Sequence, residues 1–212
     1  MRVLLACEES QAVCEQFLLR GHDAYSCDLL PSSHGDLKLR ERHIQENIRD
    51  LLSTDKNWDL VIAFPPCTDL AVSGAKHFKQ KREDGRQQKA IDFFMFFTTL
   101  DYVEKIVIEN PIGIMSSVYR KPDQIIHPYQ FGDPFSKSTC LWLKNLSTLQ
   151  YNAKDTLPFP DYYCEVEKGE FITFKSGKRM AKWYNDASGK HAGHLRSKTF
   201  PGIAKSMAEQ WG

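Results

Sequence analysis

No apolar run in this 212-residue chain approaches the roughly 20 residues that a membrane-spanning helix needs. Charge of one sign is lacking too: 28 Lys and Arg face 27 Asp and Glu, a net charge of +1. A uniformly basic surface is thereby excluded, and any contact with nucleic acid has to be local. The six cysteines contain no Cys-x-x-Cys pair, which leaves a zinc site without support, and no metal is expected. His191 and His194 are the nearest approach to a ligating pair; beside Lys190 and Arg196 they read as solvated loop residues. The start, Met1-Arg2-Val3-Leu4-Leu5-Ala6, meets Glu8 and Glu9 too soon for a signal peptide. With the cysteines taken as reduced thiols, a cytoplasmic protein is expected. Internal repeats and low-complexity tracts are absent. What remains, 42% hydrophobic and 26% charged, is the composition of an ordinary globular domain. The length suits one α/β unit and is short for two.

Strand and helix signals alternate. Strands are predicted over 3–6, 24–27, 59–64, 105–108 and 140–143. Helices are predicted over 11–20, with Val13, Phe17 and Leu18 inward, over 87–100, and over 203–211. Gly21 is placed to end the first helix in the left-handed conformation. Residues 48–52 read as a short connection, and 76–86 as a charged loop. This alternation predicts a doubly wound, mostly parallel sheet.

Two strands end in chemistry. Leu60-Val61-Ile62-Ala63-Phe64 delivers Pro65-Pro66-Cys67, and Ile106-Val107-Ile108 delivers Glu109-Asn110-Pro111. Open α/β sheets hold ligands at such ends. A thiolate that adds to a ring carbon, beside an acid that neutralises charge on the ring nitrogen, suits covalent attack on an electron-poor heterocycle. The bland alternative makes Cys67 a small buried hydrophobe and Glu109 a helix-capping acid. The stretch 145–198 breaks the alternation, with prolines, aromatics and the bases Lys168, Lys175, Lys178, Arg179, Lys182, Lys190 and Arg196. Aromatics among bases bind nucleotides by phosphate charge and stacking. A solvated hairpin with aromatic anchors is the competing reading, favoured by Glu165, Glu167 and Glu170.

In order, these elements resemble the small, phage- and prophage-type members of the DNA cytosine-5 methyltransferases. Pro65-Pro66-Cys67 with Gly74 is similar to that family's nucleophile loop, and Glu109-Asn110-Pro111 to its Glu-Asn-Val element. Tyr129-Gln130-Phe131-Gly132-Asp133-Pro134 and the following Leu141-Trp142-Leu143 resemble its Gly-x-Pro segment and next strand. The stretch 196–204 resembles the family's C-terminal cofactor-side element. The resemblance implies a methyltransferase Rossmann-like fold over 1–212, with a reduced target-recognition insertion at 145–195. It implies methylation of cytosine carbon 5 in DNA from S-adenosylmethionine, with Cys67 as nucleophile and Glu109 at ring nitrogen 3. Asn110 would shape the turn, and Lys137 would stand in the Phe135–Thr139 run where the family has arginines. The cofactor would meet Ala6, Ser10, Asp28 at its ribose, Ile48 and Asp50 at its adenine, and Pro65. The first loop, Ala6-Cys7-Glu8-Glu9-Ser10-Gln11, has no glycine, and Glu8 would face the sulfonium or ammonium instead. DNA would be held by Lys175, Lys178 and Arg179, with Trp183 or Tyr184 on a base. Two other readings are an enzyme acting on free pyrimidine nucleotides or RNA, and a non-catalytic nucleic-acid or nucleotide binder on the same scaffold.

Overall fold

The computed structural model describes residues 1–159, 161–187 and 196–212. Lys190, His191 and His194 lie outside the described residues. The strands β1 (Arg2–Ala6) and β4 (Leu60–Ala63) are buried almost throughout, a pattern sustained only where helices cover both faces of a sheet. β1 pairs in parallel with β2 (Asp23–Asp28) and with β4. β2 pairs with β3 (His43–Gln45), and β4 with β5 (Lys105–Pro111), also in parallel. Beyond β5, β7 (Thr139–Lys144) runs antiparallel, and β6 (Gln124–Ile126) forms the edge against it. The order is β3-β2-β1-β4-β5-β7-β6. The chain moves outward from β1 to β3, then restarts on the other side of β1, so the switch point lies between β1 and β4. Ligands of doubly wound sheets sit at that point, beyond the carboxyl ends of the strands. This order, with one antiparallel strand inserted next to the far edge, is the methyltransferase Rossmann-like arrangement.

Alternation along each strand divides the core in two. Leu4, Ala6, Val61, Ala63, Ile106 and Ile108 pack on one face with α3 (Ile48–Thr54) and α5 (Arg86–Phe96). Val3, Leu5, Leu60, Ile62 and Val107 pack on the other with α1 (Ala12–Leu19) and the terminal helix (Pro201–Trp211). Short helices α2 (Leu37–Arg40), α4 (Phe78–Glu83) and α6 (Met115–Val118) lie in the connections.

Four expectations change. His43–Gln45 is a strand, three residues long and too polar to show a period. Residues 48–52 belong to a helix, started by Asn47, whose side chain accepts from the Arg49 N–H at 3.0 Å. The predicted loop at 76–86 takes in the end of a 3₁₀ turn (Val72–His77) and the whole of α4. The edge strand β6 carried no period of its own. The left-handed Gly21, φ 78°, follows α1 as predicted.

Glu8 also has a different task. α1 has no side-chain cap at Gln11; instead the Glu8 carboxylate accepts from the Val13 N–H at 2.6 Å and the Cys14 N–H at 3.2 Å. It is 5% exposed, folded inward against the helix start, so it does not present a charge to a cofactor. Burial, helped by Glu9, pushes its pKa up to about 8 against the pull of the two N–H donors. The folded state therefore holds a proton that the unfolded chain loses near 4.5. The resulting stability is full below that value and is lost as pH rises toward about 8. Denaturant midpoints should fall between pH 5 and pH 8, and Glu8→Gln should flatten that dependence. Glu8→Ala should cost about 1–2 kcal/mol at pH 5.

Candidate active site at the ends of strands β4 and β5

Leaving β4, the chain stays tied to its neighbours. The Phe64 N–H donates to the Ala6 carbonyl at 2.9 Å, and the Asn110 Nδ2 donates to the Pro65 carbonyl at 2.8 Å. The Cys67 carbonyl then accepts from the N–H groups of Leu70 (3.0 Å) and Ala71 (2.9 Å), closing one tight turn with Cys67 at its head. That turn is fastened to the chain beyond β5. Val72 N–H donates to the Ile112 carbonyl and Ile114 N–H to the Leu70 carbonyl, both at 3.0 Å. Only a glycine fits between them, since a Cβ at Gly113 would stand 2.5 Å from the Leu70 oxygen.

Asn110 is 1% exposed and sits on the α3/α5 face, whereas Glu109, one residue earlier, points to the face of α1 and the terminal helix. Asn110 is therefore a tether of the Cys67 loop. Glu109 shares a narrow cleft with Lys137, Thr139, Thr199 and Phe200. The charges of Glu109 and Lys137 both reach the Cys67 thiol, and that of Lys137 reaches Glu109. Burial first, then the Glu109 charge, pushes the Cys67 thiol up, opposed by Lys137 and Lys81. Burial raises Glu109 as well, against Lys137. The thiol thus keeps its proton at neutral pH until a positive charge favours the thiolate, and the acid is biased toward the protonated form that can donate.

The expected cofactor residues frame the switch point. Ala6 ends β1, and Asp28 ends β2 with its Oδ1 accepting from the Leu30 N–H at 2.9 Å, leaving Oδ2 for a ribose hydroxyl. Cys7 adopts φ 63° and Gln11 φ 57°, so the bends that glycine would supply are made without it. Cys7 feels the Asp28 charge directly, which places the two side by side. Ser10 is half-buried in the same loop, and Pro65 is buried at the head of β4. These residues fit an adenosyl group with ribose hydroxyls. Ile48 is packed into the core, 4% exposed, and Asp50 lies exposed in the first turn of α3. Among the described residues no group of three or more His, Cys, Asp or Glu could hold a metal.

The basic segment is smaller than its sequence suggests. The Val166 N–H donates to the Tyr129 carbonyl, and Gln150 exchanges hydrogen bonds with Gln210 of the terminal helix, so its first half is packed against the domain. What projects is a hairpin of β8 (Phe171–Thr173) and β9 (Arg179–Ala181), with Lys175 and Lys178 exposed at its turn. Arg179 lies over the Phe171 ring, 4.8 Å from its centroid. Lys182 and Lys154 are neutralised by Glu170 and Glu167. Trp183 or Tyr184 is expected on a base; the Trp183 ring packs edge-on against Phe200 at 5.3 Å and Phe135 at 5.9 Å, and its Nε1–H donates to the Ser136 carbonyl. The ring is engaged in anchoring the hairpin beside Lys137. Sequence reasoning missed Lys81, which carries no motif, and placed Thr199 and Phe200 in the 196–204 stretch on the cofactor side without foreseeing that they line the Glu109 cleft.

No family model and no curated protein matches the sequence. Among solved structures, the chain is similar to a DNA modification methyltransferase encoded within an Escherichia coli prophage. Identity is 16% and the TM-score 0.46, over 88% of this chain and 63% of that one. It is similar also to a DNMT2 mutant of Spodoptera frugiperda, at 13% identity and TM-score 0.40, over 79% of this chain and 55% of that one. The chain thus spans about six tenths of the length of these structures. The fold class rests on the strand order.

Because the Glu109 charge raises the Cys67 thiol, Glu109→Gln should move the pH midpoint of Cys67 alkylation by iodoacetamide downward. Lys137→Met should move it upward. Peptide mass spectrometry separates Cys67 from the other five cysteines; midpoints that stay in place in both variants would separate the three groups.

Proposed function

We propose that the protein is a DNA cytosine-5 methyltransferase acting through a covalent Cys67 adduct. The observation that carries this reading is the meeting of Cys67, Glu109 and Lys137 at the strand ends beside the switch point. An extruded cytosine offers carbon 6 to Cys67. The thiol releases its proton to water and the sulfur forms a bond to carbon 6. The electrons of the 5,6 double bond move into the ring, and Glu109 donates to ring nitrogen 3 as negative charge collects there. Asp28, Ser10 and Pro65, with the backbone of Ala6, would hold S-adenosylmethionine, which would supply the methyl group for carbon 5 and leave as S-adenosylhomocysteine. The ring nitrogen returns its proton to Glu109, and loss of the carbon-5 proton to water then restores the double bond and expels Cys67 as thiolate, which Lys137 stabilises by charge. The cytoplasm, where cysteines stay reduced, suits this thiol chemistry.

Cys67→Ser should abolish methylation while leaving the denaturation midpoint near that of the wild type, since a hydroxyl is a far weaker nucleophile at neutral pH. Bisulfite sequencing of plasmid DNA from expressing cells reads the outcome; wild-type levels in the serine variant would exclude the covalent route.

The projecting hairpin has few side chains to reach base edges, which favours a short target of about two to four bases. It also keeps the second reading in view, an enzyme on RNA or free pyrimidine nucleotides. Replacing Lys178 and Arg179 by alanine should weaken binding to all DNA sequences alike and lower the salt slope by about two, one for each lost phosphate contact. Unchanged affinity, together with turnover on a free nucleotide, would favour that second reading.

A further inference from the structure

We propose that Lys81 is a positioning residue for the nucleophile, a buried cation that holds the Cys67 turn in place and favours its thiolate. Lys81 belongs to α4, 14 residues beyond Cys67, in a stretch whose other charges face solvent; its own exposure is 6%. A lysine buried to that degree requires partners. Its Nζ donates to the Thr68 carbonyl at 2.5 Å and lies 3.1 Å from the Asp69 carboxylate. Both acceptors belong to the turn that begins at Cys67. Gln87, 5% exposed on α5, completes the clamp by donating from Nε2 to the Asp69 carbonyl at 3.2 Å. Gly74 makes room for it, since a Cβ there would lie 3.1 Å from the Lys81 nitrogen.

The ionisable groups around the thiol come from three further directions: Glu109 on β5, Lys137 before β7, and Asp69 within the turn itself. Glu109 works against the thiolate, while Lys137 and Lys81 work for it. Lys137 stands in the narrow cleft with Glu109 and Phe200. Lys81 stands behind the turn, fixed by Thr68 and Asp69, and its charge acts before any ligand arrives. Buried charge is also little screened by salt, so its influence persists at physiological ionic strength.

This inference rests on the reading of Cys67 as a nucleophile, yet alkylation of the thiol tests it without DNA or methyl donor. Lys81→Gln keeps a donor for the Thr68 carbonyl and removes the charge; Lys81→Arg keeps the charge. In the glutamine variant the pH midpoint of Cys67 alkylation by iodoacetamide should rise, by less than in Lys137→Met. The rate at pH 7 should then fall in step, because each unit is a factor of ten in thiolate. The arginine variant should return most of the rate. A loss of packing alone would expose the thiol and speed alkylation, the opposite sign. If Lys81→Gln does not fold, Gly74→Ala, whose methyl displaces the ammonium, should shift the midpoint in the same direction by less. A midpoint unchanged in the folded glutamine variant, or unchanged in Gly74→Ala where that variant is the one measured, overturns the proposal. Unaltered methylation of DNA by wild type and Lys81→Gln alike, beside a shifted midpoint, would place the fault in the covalent reading instead.

Discussion

One hydrogen bond, from the Asn110 amide to the Pro65 carbonyl, holds the two chemically important strand ends together. β4 and β5 are parallel neighbours, so their carboxyl ends emerge side by side, but parallel pairing stops at Ala63 and Ile108. Beyond it, two prolines carry the chain without N–H groups to offer a ladder. The side chain of Asn110 replaces the missing backbone contact, and the fit around Gly113 closes the far end of the loop. Cys67 is thereby held on a rigid turn, and Glu109 on the last part of a strand paired to β7. Reacting groups borne on rigid elements lose little freedom when substrate arrives.

The second constraint is electrostatic. Burial and the Glu109 charge both hold the Cys67 thiol toward its protonated form, and burial does the same for Glu109. Two lysines oppose that rise without cancelling it. Lys137 faces the cleft and Lys81 backs the turn, so positive charge reaches the thiol from two segments.

Much of this was legible in the residues. The runs 60–64 and 106–108 had to be strands buried on both faces, because they show no polar alternation. Their trailing residues then fell at the ligand-binding edge by topology alone. The strands β3 and β6 were not legible, since three-residue edge strands are stabilised by neighbours rather than by a pattern of their own. The role of Glu8 was misread for a related reason. A carboxylate in a loop before a helix caps that helix or faces a ligand, and only the backbone around Gln11, φ 57°, turns it inward. Trp183 was visible as an aromatic among bases, but the packing partners that claim it, Phe135 and Phe200, are 48 and 17 residues away in the chain. Lys81 looked like one more solvated lysine, and its burial follows from Thr68 and Asp69, which no spacing rule connects to it.

The central claim is that Cys67 bonds to carbon 6 of a cytosine while Glu109 attends the ring nitrogen. Incubation with S-adenosylmethionine and duplex DNA containing 5-fluorocytosine tests it most directly, because fluorine cannot leave carbon 5 as a proton does and the adduct persists. The account predicts a protein–DNA species that survives denaturation, with the modified cytosine mapped to Cys67, none in Cys67→Ser, and little in Glu109→Gln. Wild-type protein that methylates DNA but leaves no such species, or an adduct mapped to another cysteine, would contradict it.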